Sequence, residues 1–130
     1  MDHTRLRELT WAALRIVAGA MFAIHGSDKL FGWPGVHEQP EMFSQVWIGG
    51  IIELACGALV AIGLFARAAA FVASGQMAVA YFQFHWKLEL AHYKWLPIVN
   101  HGEDAALYCF VFLAIAAHGP GRFAIGRARA

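Results

Sequence analysis

The chain has 130 residues, room for one domain and no more, and its net charge of +1 comes with ten scattered basic residues, which argues against a nucleic-acid partner. Apolar residues make up 59% of it and charged residues only 15%. A soluble domain this small cannot hide that much apolar surface, so an ordinary soluble globule is excluded and lipid is the expected solvent.

The first apolar stretch runs from Thr10 to about Phe31. Arg5 and Arg7 precede it, and Ala18-Gly19-Ala20 imitates a leader cleavage site. The run is too long for the apolar segment of a leader, and it reads as a first span. Gly32, Trp33, Pro34, Gly35 and Pro40 then break the chain. A second stretch covers Val46 to Phe65 and a third Ala68 to Trp86, with Gly63 and Arg67 in a short turn between them. Pro97 and Asn100 precede the fourth, Gly102 to His118, which closes at Gly119, Pro120 and Gly121.

At ~1.5 Å rise per residue these runs are roughly 26 to 33 Å long, the thickness of a hydrocarbon core. None alternates strictly, so they are expected to be helices, whose backbone groups satisfy one another in lipid. The expected fold is all-α: an integral membrane four-helix bundle forming one domain over 1–130, with spans at about 10–31, 46–65, 68–86 and 102–118. Arg5, Arg7, Arg15, Arg67, Arg122, Arg127 and Arg129 fall on one side and Lys29, Lys87 and Lys94 on the other. That imbalance predicts both termini in the cytoplasm. Arg15 is expected to snorkel to the inner interface. Trp33, Trp47, Trp86 and Trp95 fall on the outer side and Trp11 on the inner, as an aromatic belt requires.

Sequence position converts to depth. His25 and Glu53 both lie ~9 to 10 Å beneath the outer interface, while His85 and Glu103 sit at the rim. Each span thus places one ionisable residue in the same leaflet, and no comparable set falls in the inner half. Such residues face a bundle interior and mark function by default. Glu53 must be protonated, paired or wetted at its depth, and His25 is the expected partner. Asp28 and Lys29 follow His25 at i+3 and i+4, with Asp28 near enough to the surface to be solvated. Gly49 and Gly57 flank Glu53 at i−4 and i+4 and should let a neighbouring helix come close. Tyr81 lies one turn below His85, and His92, Asn100 and His101 could overhang the cluster. His3, His37 and His118 read as surface residues. Cys56 and Cys109, buried in apolar runs without CxxC spacing, read as small hydrophobes.

Several local strings carry a resemblance. His25-Gly26-Ser27-Asp28-Lys29-Leu30-Phe31-Gly32 resembles the HGxxKLFG signature of DoxX proteins. Gly50-Ile51-Ile52-Glu53-Leu54-Ala55-Cys56-Gly57 is similar to their GxxELxxG second helix. Gly63 to Arg67, Met77 to His85, and Pro97, Asn100, Gly102, Glu103 and Ala106 resemble the family's later motifs. His101 stands where the family usually has Gly, and Phe123-Ala124-Ile125-Gly126-Arg127 replaces its usual Ser-Leu-Asp. The resemblance implies a four-span protein of the bacterial inner membrane, associated with quinone-linked redox chemistry, including a thiosulfate:quinone oxidoreductase subunit, and with complexes that resist oxidative stress.

Three functions follow as expectations. As a quinone-reactive redox subunit, the chain would use His25 and Glu53 as acid and base, with Lys29, Tyr81, His85, Asn100 and Glu103 binding the quinone. It has no GxGxxG, CxxCH or iron–sulfur motif, so electrons would come from a redox partner protein or a soluble reductant. As a metal-binding protein, it would offer His25, Glu53, His85 and Glu103 to a divalent transition metal. As an accessory subunit, its polar cluster would only fasten the bundle, and small-molecule transport is a remaining class. The bilayer is the expected partner in every case, and the glycine-bearing helices allow a homo-oligomer.

Overall fold

The computed structural model describes residues 2–126. Among them are five α-helices and no strand. Asp2 caps α1 (His3–Phe31) by accepting the Arg5 N–H at 2.8 Å, and Gly32 closes it in the left-handed conformation at φ +69°. Ser44 caps α2 (Gln45–Ile62), which Gly63 closes in the same way at φ +78°. The expected second span ran on to Phe65; the helix stops three residues earlier because the left-handed Gly63 turns the chain there. α3 (Ala66–Ala80) continues directly into a π-helical segment, Tyr81–Trp86. After a single 3-10 turn, the short α4 (Pro97–Asn100) leads into α5 (Glu103–His118).

The helices pack as two antiparallel pairs, α1 with α2 and α3 with α5, joined mainly where α2 meets α3. α1 and α5 barely touch. The first pair is held by absence of side chains. A methyl group at Gly19 would lie 2.6 Å from the Ala61 nitrogen, and one at Gly57 would lie 2.6 Å from the Gly19 carbonyl oxygen. One at Gly26 would collide with the backbone of Gly50 and Leu54. Gly19 and Gly26, and opposite them Gly50 and Gly57, are seven apart, so the two backbones stay in contact over two turns. Gly57 therefore does what its spacing around Glu53 predicts. Gly49 does not face α1; it faces α3, where its carbonyl accepts the Gln76 side-chain N–H at 3.2 Å.

The second pair closes on Phe22, Val60, Ala70, Ala73, Phe112 and Ile115, none more than 1% exposed. Outside this core, large apolar side chains such as Val17, Ile51, Phe71, Val79, Leu107 and Phe110 point outward. Such a surface suits lipid and not water. α1 and α2 are each long and apolar enough to cross a membrane.

Arg15 corrects the sequence reading. It does not snorkel: it is fully buried, and its guanidinium donates to the carbonyls of Pro120, Arg122 (3.0 Å), Phe123 (2.8 Å) and Ala61 (3.4 Å). The carboxyl-terminal segment folds across the end of α1 and α2, with the Ile125 and Gly126 N–H groups donating to Ile62 and Gly63, so Arg15 finds acceptors inside the protein. Arg67 does similar work at the end of α5, donating to the carbonyls of Ala116, Ala117 and His118. The start of α1 thus meets the end of α5, where the Trp11 indole donates to the Gly119 carbonyl at 3.0 Å.

Gly57→Val is expected to lower the stability of the micelle-purified protein by on the order of 1–3 kcal/mol, since backbone rather than a flexible side chain blocks the added atoms. Gly75, with open space around it, is the control. Gly75→Ala should leave the same unfolding transition unchanged or raise it by up to about 1 kcal/mol, because alanine is the better helix former, and equal losses in the two variants would refute the glycine contact.

Candidate functional site

The end of the structure away from the termini holds a cavity of about 400 Å³. α1 supplies His25, Asp28 and Lys29 to its wall, α2 supplies Glu53, the π-helical segment His85, and α5 Asp104 and Tyr108. The loop after α1 adds His37 and Glu38, and the turn before α5 adds His101. Chain regions far apart in sequence therefore place ten polar side chains around one space.

Glu53 is 3% exposed, and its partner is Lys29, not His25. The Lys29 ammonium donates to Glu53 Oε2 at 2.6 Å. Lysine wins over histidine because Gly50 lets the Lys29 stem lie directly against α2, and the long side chain then reaches the carboxylate. His25 is one turn deeper on a more exposed face, with its ring edge-on to Tyr108 at 5.9 Å. It makes no hydrogen bond among the described residues. The Tyr108 hydroxyl is buried and likewise has no partner among them.

Asp28 is buried rather than solvated, at 5% exposure. It accepts the N–H groups of Gly35 (2.8 Å), Val36 (2.9 Å) and His37 (3.2 Å), and the His37 ring lies 3.1 Å from the same carboxylate. This carboxylate folds the loop after α1 back over the cavity. His37, expected to be an ordinary surface residue, is exposed but tethered there.

Two residues expected to bind a ligand serve the backbone instead. The Tyr81 hydroxyl donates to the Trp95 carbonyl (2.5 Å) and accepts the Asn100 side-chain N–H (3.0 Å). Asn100 also donates to the Lys94 carbonyl and accepts the Gly102 N–H, both at 2.8 Å. Neither lines the cavity; together they shape the turn that aims α5. That turn puts His101 at φ +60°, a left-handed conformation that glycine adopts without cost. Glu103 lies exposed in the first turn of α5 outside the cavity wall, and its neighbour Asp104 faces the cavity in its place. Among the described residues no three His, Cys, Asp or Glu side chains come together as a metal-holding group. His25, Glu53 and His85 line the one cavity, Glu103 lies outside its wall, and Glu53 is engaged by Lys29.

The cavity is not closed toward the side. His25, Asp104 and Tyr108 also form the end of a groove of about 450 Å³ between α1 and α5, otherwise lined by apolar residues including Leu14, Val17, Met21, Leu107 and Val111. Loose packing of α1 on α5 leaves this groove open. Asp104 and Tyr108, one turn apart on α5, were not singled out from sequence. Tyr108 carries a detectable signal, a phenol four residues from an acid on an apolar helix.

Removing either member of the Lys29–Glu53 pair should destabilise the protein unequally. Glu53 is 4% exposed at its side chain and Lys29 30%, so Lys29→Met strands a buried carboxylate, while Glu53→Gln leaves an ammonium able to turn outward. Lys29→Met is expected to cost more in an unfolding titration, and the double variant should recover part of that loss. Strict additivity would deny the pair.

The first part of the chain, residues 10–86, matches the family model described as DoxX. That match includes His25, Lys29, Glu53 and His85 and stops before α5. A Haemophilus influenzae protein described as uncharacterized is 36% identical over 121 residues, covering 88% of this chain and 86% of its own length. No solved structure matches. The motifs around His25 and Glu53 and these two matches together place the chain in the DoxX family, as a membrane protein.

Proposed function

We propose that the chain is a quinone-binding subunit of the bacterial inner membrane, with a quinone head in the His25–Tyr108 cavity and its isoprenoid tail in the α1–α5 groove. One observation carries this reading: the polar cavity and the apolar groove share His25, Asp104 and Tyr108, which suits a molecule with a polar head and an apolar tail. The Tyr108 hydroxyl, which has no hydrogen-bond partner among the described residues, and the His25 ring against it are suited to hydrogen-bond one quinone oxygen between them. Lys29 and Glu53 contribute a neutral ion pair to the cavity wall. Reduction of a quinone takes two electrons and two protons; His25 and Asp104 are placed to deliver protons, and a redox partner protein supplies the electrons.

In this reading α1, α2, α3 with its π-helical extension, and α5 cross the bilayer as a four-helix bundle, one domain over residues 1–130. Both termini face the cytoplasm and the cavity faces the periplasm. The meeting of the start of α1 with the end of α5 supports a shared side for the termini, and the arginine excess near them supports the cytoplasmic side.

A photoreactive quinone in liposomes is the test. It is expected to label peptides from α1 and α5, and Tyr108→Phe and His25→Ala should each cut labelling about tenfold, as loss of a hydrogen bond in a dry site does. Labelling unchanged in both variants would sink the proposal. Native mass spectra of the same proteins cover the metal alternative: a stoichiometric divalent metal, lost in His25→Ala and Glu53→Gln, would replace quinone by metal binding.

A further inference from the structure

Beyond the end of the α1–α5 groove away from His25 lies a second space of about 620 Å³ with a different chemistry. Arg7 and Trp11 from α1, His118 from the end of α5, and Arg122 beyond it stand around this space, with the hydroxyls of Thr4 and Thr10. Leu14 lines both this space and the groove, so the two adjoin at that side chain. Arg122 pairs with Glu8, a carboxylate on the same wall, at 2.9 Å. That contact uses only part of a guanidinium's five donors. Arg7 makes no ion pair among the described residues. The Trp11 indole is spent on the Gly119 carbonyl and His118 Nδ1 on the Ala114 carbonyl, so neither of these atoms is left for a ligand.

We propose that this space binds the phosphate of an anionic phospholipid from the leaflet at the terminal side of the protein, with one acyl chain lying in the groove from Leu14 toward Leu107. The order of chemistry along the groove supports a lipid. Two arginines stand at the terminal end, an apolar channel follows, and the far end carries the acidic Asp104, which repels a phosphate. From Leu14 to His25 is eleven residues of helix, ~16 Å, the length of most of a long acyl chain. The proposal rests on α1 and α5 lying in the bilayer and does not need the quinone reading. A lipid chain from one end and a quinone tail from the other would compete for the groove.

The test titrates delipidated protein in detergent with long-chain phosphatidylglycerol and, separately, phosphatidylcholine, counting adducts by native mass spectrometry. Phosphatidylglycerol is expected to bind at least tenfold more tightly. Arg7→Gln and Arg122→Gln should each weaken it about fivefold and together about thirtyfold, the worth of a basic residue beside an anionic lipid surface. Arg5→Gln, outside the pocket wall, should not change it. Glu8→Gln, which removes the competing carboxylate, should strengthen binding and serves as a variant that gains function. Leu14→Trp, which fills the junction, should weaken the long-chain lipid and spare a dibutanoyl one. Equal binding of the two headgroups, or wild-type binding by the Arg7→Gln/Arg122→Gln protein, overturns the proposal. So does displacement by millimolar inorganic phosphate without dependence on chain length, which would mark a soluble-anion site. Because quinone labelling reads His25 and Tyr108 at the other end, either site can fail without the other.

Discussion

Gly19 and Gly26 on α1 meet Gly50 and Gly57 on α2 with only backbone between them, and the rest of the site follows from that approach. In lipid there is little hydrophobic gain from pressing two apolar helices together, so shape and close contact must hold them. Glycine supplies the shape. Once the two backbones touch, the Lys29 stem lies on α2 and its ammonium reaches Glu53 at 2.6 Å. A wider separation would leave Glu53 buried without a cation, which costs several kcal/mol in a dry interior.

The close pairing of α1 with α2 has a counterpart in the loose contact of α1 with α5. α5 spends its core residues Phe112 and Ile115 inward, in the packing it shares with α3, and turns Leu107 and Val111 toward the groove. A tight α1–α2 seam and an open α1–α5 seam give the molecule one rigid wall and one entry from the side. The entry is polar at both ends but differently so: His25, Asp104 and Tyr108 at one, Arg7 and Arg122 at the other. In the two proposed readings this difference would sort ligands by headgroup. A neutral head with exchangeable protons suits the first end, and a phosphate suits the second.

Polar side chains elsewhere serve the chain's own ends. Arg15 and Arg67 gather carbonyls at the terminal side, Asp28 gathers N–H groups from the loop over the cavity, and Asn100 with Tyr81 shapes the turn into α5. Each sits where a helix stops and leaves backbone groups unsatisfied, which is costly near lipid. An ionisable residue on an apolar helix can therefore be a fastener of chain ends, and its partners decide whether it is.

The helices were legible in the sequence because apolar runs between glycine and proline punctuation can satisfy their backbone only as helices in lipid. The family was legible because His25-Gly26-Ser27-Asp28-Lys29-Leu30-Phe31-Gly32 and Glu53 with its flanking glycines are local strings. Depth, counted along a helix, brought His25, Glu53 and His85 to one end without any coordinates. Rotation about each helix axis was not legible, because near-uniform apolarity gives no stripe to show which face looks inward. For that reason the partner of Glu53, the fate of Arg15, the exchange of Asp104 for Glu103 and the withdrawal of Tyr81 and Asn100 into the turn were decided only by tertiary structure. Sequence alone determined which residues are polar and how deep they lie; packing of the glycine seam determined which of them can touch.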